Sequence, residues 1–308
     1  MSAPTCTIHV IDVNLGRLLV PYLPEVVVEA ARASFRQAQW ARHLRGAWVM
    51  FFGDDLHFHL KTLAADQPAG ETAPVFAAKA AKEAAQAALA KGRELGLLEP
   101  AGKPDTRRLG AAELETALDL RQLDFPFTER GAEPVVVAKA LNGSWGFFNR
   151  ALFNLFFNPD KGSGHRIEGN DFRAVVESVA DLRAGKAAVQ AFTFGPGESN
   201  ELLALVTDPD DWRLSEVYAA KGRFAEGKYK GEPAAKVGGG RDPVLIGRCQ
   251  SGLPAVGEFT QAVAEFYFGP GGPDGGYRVG LMPTTFAEAH TPSVADGLAK
   301  VVAYAYQS

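Results

Sequence analysis

The sequence predicts an α+β protein whose sheets are covered by helices. Three observations lead there. Short β-rich apolar runs alternate with segments of helical periodicity along the chain. Hydrophobic residues at 46% and charged residues at 22% are ordinary values for a packed globular chain. No internal repeat and no low-complexity linker interrupts the 308 residues.

Thr7 to Val13 reads as the first strand. Pro24 opens a helix through Glu25-Val26-Val27-Val28-Glu29-Ala30-Ala31-Arg32 to about Leu44, because proline suits a first helical turn. Ala47 to Leu60 returns as a strand, broken at Asp54-Asp55, and Ala64 to Pro74 is a polar loop. Val75 to Leu95 is rich in Ala, Lys and Glu with helical spacing, and Gly96 closes it. Gly102 to Arg108 reads as loop, Pro134 to Leu141 as a short β-rich run, and Gly143 to Pro159 as an aromatic, apolar stretch. Phe172 to Val179 and Ala187 to Phe194 read as neighbouring strands, Glu198 to Thr207 as a helix, and Trp212 to Ala219 as a strand. Ala225 to Arg241, rich in Gly and Lys, reads as loop. Val244 to Gln250 is a strand, Glu258 to Phe266 a helix, Gly269 to Gly276 a Pro/Gly loop, and Val294 to Tyr306 a last helix.

Composition excludes several function classes. A net charge of -4 without a dense Lys/Arg stripe argues against nucleic-acid binding. No apolar run reaches transmembrane length, and the start lacks the basic-then-apolar pattern of a signal peptide. Cys6 and Cys249 are far apart and lack metal-site spacing, so they read as free thiols in a reducing cytoplasm. The expected partner is a small-molecule substrate, not a nucleic acid or a membrane.

The chemistry-bearing pattern is Asp12, at the end of the first strand, together with Phe51-Phe52-Gly53-Asp54-Asp55-Leu56-His57-Phe58-His59-Leu60. Carboxylates are depleted in strand interiors unless paired or bound to a metal. Neighbouring carboxylates raise each other's pKa unless a cation intervenes, and hard divalent cations favour oxygen ligands. Gly53-Asp54-Asp55 also suits a plain hairpin turn. In an extended strand Asp55, His57 and His59 share one face. Such a trio either ligates a metal or supplies a general base, or it is a solvated strand face with no role.

Four stretches carry a resemblance. The first is Asp12, Gly16, the helix from Glu25, and Gly53-Asp54-Asp55-Leu56. The second is Glu133-Pro134-Val135-Val136-Val137, then Phe148-Asn149 and Phe157-Asn158-Pro159. The third is Asn200-Glu201-Leu202-Leu203-Ala204-Leu205. The fourth is Asp242-Pro243-Val244-Leu245-Ile246-Gly247-Arg248, Gln250, Gly252-Leu253-Pro254-Ala255-Val256-Gly257-Glu258, and later Gly280-Leu281-Met282-Pro283. In this order the chain resembles a shortened, diverged relative of the fructose-1,6-bisphosphate aldolase/phosphatase family of archaea and deep-branching bacteria.

The resemblance implies one domain over residues 1–308, a four-layer α-β-β-α sandwich and a homo-oligomer. It also implies a site that condenses triose phosphates through a lysine Schiff base and removes phosphate with magnesium held by aspartates. Asp12, Asp54, Asp55 and Asp242 fall on metal-ligand positions, so Mg²⁺ or Mn²⁺ is the expected cofactor.

Other family positions are lost. Gly240 stands where the Schiff-base lysine belongs and Arg241 where a first Asp belongs; an alternative alignment, with Lys228-Tyr229-Lys230-Gly231 as the lead-in, leaves Glu232 or Arg241 in the lysine's place. Leu141 replaces a metal-binding Asp, Lys103-Pro104 a Gln-Asp pair, Leu18, Leu19 and Val20 the region of a His, and His290 a late Asp; the family's C-terminal extension is absent after Ser308. Trp145, Phe147, Phe148, Phe153, Phe156 and Phe157 crowd the central segment, as core or as an apolar pocket.

Three readings follow. One is a diverged metal-dependent enzyme acting on a phosphorylated or carbonyl-containing substrate, hydrolase- or lyase-like, but not a competent bifunctional aldolase/phosphatase. The second is a repurposed enzyme of specialised metabolism with an apolar pocket and no metal cluster. The third is a non-catalytic binding or assembly protein. The expected catalytic residues are Asp54, Asp55, His57 and His59. Arg248, Arg278, Gln250 and Phe148 are the expected substrate contacts, the two arginines as anion forks or as salt-bridge partners. Lys228, Lys230 and Lys236 are loop lysines, expected to be solvated.

Overall fold

A computed structural model of the chain describes residues 5–15, 23–52, 55–97, 118–131, 133–141, 145–158, 171–221, 225–226, 230–239, 242–249, 253–268 and 300–306. These residues form two antiparallel sheets and several helices, the α+β class expected. The chain divides into two compact units, one reaching Pro126 and the other beginning at Phe127.

In the first unit, β1 (Thr5–Asn14), β2 (Leu44–Phe52), β3 (Asp55–Leu63) and β4 (Asp119–Thr128) make a four-stranded sheet in the order β2-β3-β1-β4. Helices α1 (Glu25–Phe35) and α3 (Ala73–Glu94) pack against each other. Their apolar stripes close on one face of the sheet: Val27, Val28, Ala31, Ala77, Ala80, Ala81, Ala84 and Ala88 cluster with Ile11, Val13, Leu56, Phe58 and Leu60. Alanines three and four apart give α3 a thin face that lies close to its neighbours. β1 and β3 are antiparallel with Val13 opposite Leu56 and Ile11 opposite Phe58. Because strand side chains alternate, Val10, Asp12, Asn14, Asp55, His57 and His59 occupy the other face.

The second unit holds β5 (Val135–Leu141), β6 (Phe172–Ser178), β7 (Ala191–Phe194), β8 (Trp212–Ala219), β9 (Pro233–Gly238), β10 (Val244–Arg248) and β11 (Lys300–Tyr306). They form a seven-stranded sheet in the order β11-β5-β10-β9-β8-β6-β7. Helices α4 (Asn149–Phe156), α6 (Ser199–Val206) and α7 (Val256–Phe268) supply Phe153, Phe156, Leu202 and Phe259 to one core, with Val136, Ala138, Ala140, Leu245 and Val237 from the sheet. Gly247 sits under α7, where a Cβ would collide with the Phe259 ring. Phe259 is fully buried and has no room to yield. Gly247→Ala is therefore expected to destabilise the chain by about 1–3 kcal/mol, read from the urea midpoint.

Several expectations from the sequence are corrected. The helix from Pro24 stops at Phe35, because Gln37 turns extended (φ -65°, ψ 142°) before a short α2 (Ala38–Ala41). The stretch Ala225 to Arg241 contains β9, a buried central strand that its Gly and Lys content disguises. Val294 to Tyr306 is not a helix to its end: Lys300–Tyr306 is β11, where alternating Val and Tyr pair with β5. β4 is a strand that the sequence does not announce, since Pro126 speaks against one; the proline is tolerated because β4 lies at the sheet's edge. The aromatic stretch from Gly143 contains α4.

Short α5 (Val179–Arg183) starts with the Ser178 hydroxyl accepting from the Asp181 amide. Lys186 Nζ donates to the Asp181 carboxylate at 2.5 Å, and the Gln190 amide donates to it at 3.0 Å. These bonds hold the Asp181 carboxyl below the ordinary carboxylate range. A lowered folded-state pKa gives stability that is present above the unfolded-state value and is lost as pH falls through the folded-state one. Asp181→Asn is thus expected to lower the melting temperature at pH 7, with the gap to the native chain closing in strong acid. A gap that is constant with pH contradicts this.

Candidate functional site

The face of the first sheet opposite its helices brings together four of the expected site residues, Asp12, Asp55, His57 and His59. Asp12 lies directly opposite His57, Asn14 opposite Asp55, and Val10 opposite His59. Opposed residues of an antiparallel pair share a face, so the two carboxylates and the two imidazoles share one surface. The Asp12 carboxylate can only accept, so His57 Nδ1 carries the proton and donates to Asp12 Oδ1. One rung along, Asn14 Nδ2 donates to Asp55 Oδ1 at 2.6 Å. His57 and His59 are 0% and 1% exposed. They are not the solvated strand face that the sequence left open. Asp12 keeps 14% of its side chain exposed.

The second unit places the other candidates. Arg248 is buried and committed to two carboxylates, at 2.9 Å to Glu133 and 2.7 Å to Glu232. Arg130 Nη1 donates to Glu133 at 2.5 Å, and the Thr128 hydroxyl donates to Glu232. Two guanidinium groups and two carboxylates thus balance, the salt-bridge alternative for Arg248. Phe148 is buried in the core, edge-on to Phe147 at 5.0 Å. Phe153, Phe156 and Phe157 join the same core. Lys236 lies in β9, not in a loop, and its Nζ meets Glu216 at 3.1 Å. Asp242 belongs to this unit, in the turn before β10. Asp54, Gln250 and Arg278 lie outside the described residues, as do Lys228, Gly240, Arg241 and His290.

The sequence profile of the Fructose-1,6-bisphosphatase family matches residues 6–308. The chain belongs to this family. It is 29% identical over 326 aligned residues to the fructose-1,6-bisphosphate aldolase/phosphatase of Ignicoccus hospitalis, covering 99% of this chain and 77% of that protein. Identity to the fructose-1,6-bisphosphate aldolase/phosphatase of Methanocaldococcus jannaschii is 31% over 188 residues, 60% of this chain and 47% of that one. For that of Sulfurisphaera tokodaii it is 28% over 292 residues, 92% of this chain and 72% of that one.

Divalent metals are general in the Fructose-1,6-bisphosphatase family, and the donor chemistry of this face suits one. Asp12 and Asp55 offer hard oxygen atoms on adjacent strands, and each carboxylate is oriented by a nitrogen donor from the strand opposite. Among the described residues, no group of three or more His, Cys, Asp or Glu converges to hold a metal ion.

Sequence reasoning misses two features of this family member. Asn14 escapes because an exposed amide at a strand end carries no signal until its register with Asp55 is known. His9 is fully buried on the helix side of the sheet, where its Nδ1 donates to Asp124 at 2.6 Å and its Nε2 meets the Thr62 hydroxyl at 2.9 Å. Gln122 Nε2 donates to the same Asp124 oxygen at 2.6 Å and ties β4 to the Pro74 carbonyl at 3.1 Å. A strand that is not foreseen cannot lend its Asp124 to a foreseen cluster. Both cysteines are buried and neither forms a disulfide. Burial, reinforced by the Glu258 carboxylate, pushes the Cys249 thiol up to about 12. A disulfide reagent at pH 8 is expected to find no reactive thiol in the native chain and two after denaturation. Rapid native labelling contradicts that burial. Among the described residues, no helix is long and apolar enough to cross a membrane.

Proposed function

We propose that this chain is a diverged, divalent-metal-dependent phosphatase-type enzyme acting on a small sugar phosphate, and not a competent bifunctional fructose-1,6-bisphosphate aldolase/phosphatase. The observation that carries it is the pair of cross-strand-held carboxylates, Asp12 and Asp55, on one sheet face of a family member. With Asp54 they would hold Mg²⁺ or Mn²⁺. Such an ion neutralises phosphate charge and makes a bound water a better nucleophile. The chain's own part is to fix these carboxylates: strand backbone sets their spacing, and His57 and Asn14 set their orientation.

Loss of the aldol half is supported by lysine chemistry. An imine-forming lysine must present a neutral amine to a carbonyl. The resemblance puts Gly240 in the family lysine's place, or Glu232 or Arg241 under the alternative alignment, and the Lys236 ammonium is held by Glu216. The apolar-pocket reading loses support, because the central phenylalanines are spent on the core. A cytoplasmic homo-oligomer is the proposed state, and light scattering that gives a clean monomer at micromolar concentration contradicts it.

The test is phosphate release from a panel of sugar mono- and bisphosphates with Mn²⁺ or Mg²⁺. Release that EDTA abolishes is expected. No release from any of them shifts the account to binding or assembly. Borohydride with dihydroxyacetone phosphate should leave the intact mass unchanged; a stoichiometric adduct overturns the loss of the aldol half.

A further inference from the structure

We infer that His57 is a positioning residue that orients Asp12 for metal ligation; this rests on the metal-dependent function proposed above. The two side chains face each other from adjacent strands, with Asp12 opposite His57 in the register. Strand interiors are stiff, so the backbone fixes the distance between them without help from a loop. His57 is fully buried, and the carboxylate leaves only its acceptor role to Asp12, so the ring is held in one tautomer with Nδ1 donating to Asp12 Oδ1.

The next rung repeats the device with the strands exchanged. Asn14 on β1 donates to Asp55 on β3 at 2.6 Å, while His57 on β3 donates to Asp12 on β1. Asp12 and Asp55 therefore each take a nitrogen donor from the opposite strand. A lone His–Asp clip would need only one rung to tie β1 to β3, which their backbone pairing already joins over nine residue pairs from Cys6–Leu63 to Asn14–Asp55. Two crossed rungs that treat both carboxylates alike fit a site whose oxygen atoms must be aimed. Ligating carboxylates are commonly held in this way, and loss of such a partner typically costs about 10–100-fold in metal affinity.

Calorimetric titration of the full chain with Mn²⁺ at one fixed pH tests this. His57→Leu removes the donor and is expected to weaken Mn²⁺ binding about 10–100-fold. His57→Asn places an amide nitrogen near the position of Nδ1 and is expected to stay close to the native affinity. His57→Gln carries the same amide one bond further out, near the position of Nε2, and is expected to fall with His57→Leu. If His57→Leu does not fold, as judged by circular dichroism, the Asn and Gln variants carry the comparison. A purely structural clip would shift melting temperature without ordering affinity by donor position. Equal Mn²⁺ affinity in all folded variants overturns the positioning role alone. Absence of Mn²⁺ binding by the native chain overturns the metal-dependent function and this role with it.

Discussion

Glu133→Ala is expected to lower stability by about 3–5 kcal/mol, read from urea unfolding followed by circular dichroism. Glu133 is 5% exposed and accepts from both Arg130 and Arg248. Its removal leaves two guanidinium groups to share Glu232, which lies 2.7 Å from Arg248 and 3.8 Å from Arg130. A buried charge without its partner keeps its desolvation cost and loses the compensating attraction. The same geometry separates two roles for Arg248. As a substrate contact its replacement would change KM in a stable protein. As the centre of a buried network, Arg248→Ala is expected to destabilise by a similar amount. Loss of activity with an unchanged unfolding midpoint would contradict that role.

The second large effect concerns the carboxylates. Asp12→Asn with Asp55→Asn is expected to abolish measurable Mn²⁺ binding and to cut phosphate release by on the order of 100-fold or more, because losing ligands costs at least what losing their supporting hydrogen bonds costs. Stability should change little by comparison, since Asn retains the size of Asp and both side chains keep partial exposure. Unchanged metal affinity would place the ion elsewhere in the chain.

Much of this is legible in the sequence, and the reasons for the rest are physical. The Asp12 strand, the Asp55 strand and the Ala-rich helix are readable because period-2 and 3.6-residue patterns are local. That His57 shares a face with Asp55 follows from strand alternation alone. That His57 meets Asp12 does not, because register between residues 45 apart is set by the whole sheet. β11 reads as helix in the sequence: Ala299, Ala303 and Ala305 dilute a Val/Tyr alternation that shows its value only beside β5. β9 is hidden by its small residues, which pack well in a central strand yet carry weak β preference. Nothing local in the sequence says that Arg248 will be buried between Glu133 and Glu232.

The most direct test of the central claim is ³¹P NMR of fructose 1,6-bisphosphate and its monophosphates incubated with the chain and Mg²⁺. The expected spectra show orthophosphate growing from at least one of these esters, with no triose phosphate signals and no change when EDTA is present from the start. Triose phosphates in the bisphosphate sample would show a working aldol site, and unchanged spectra for every ester would show that the scaffold no longer works as a phosphatase.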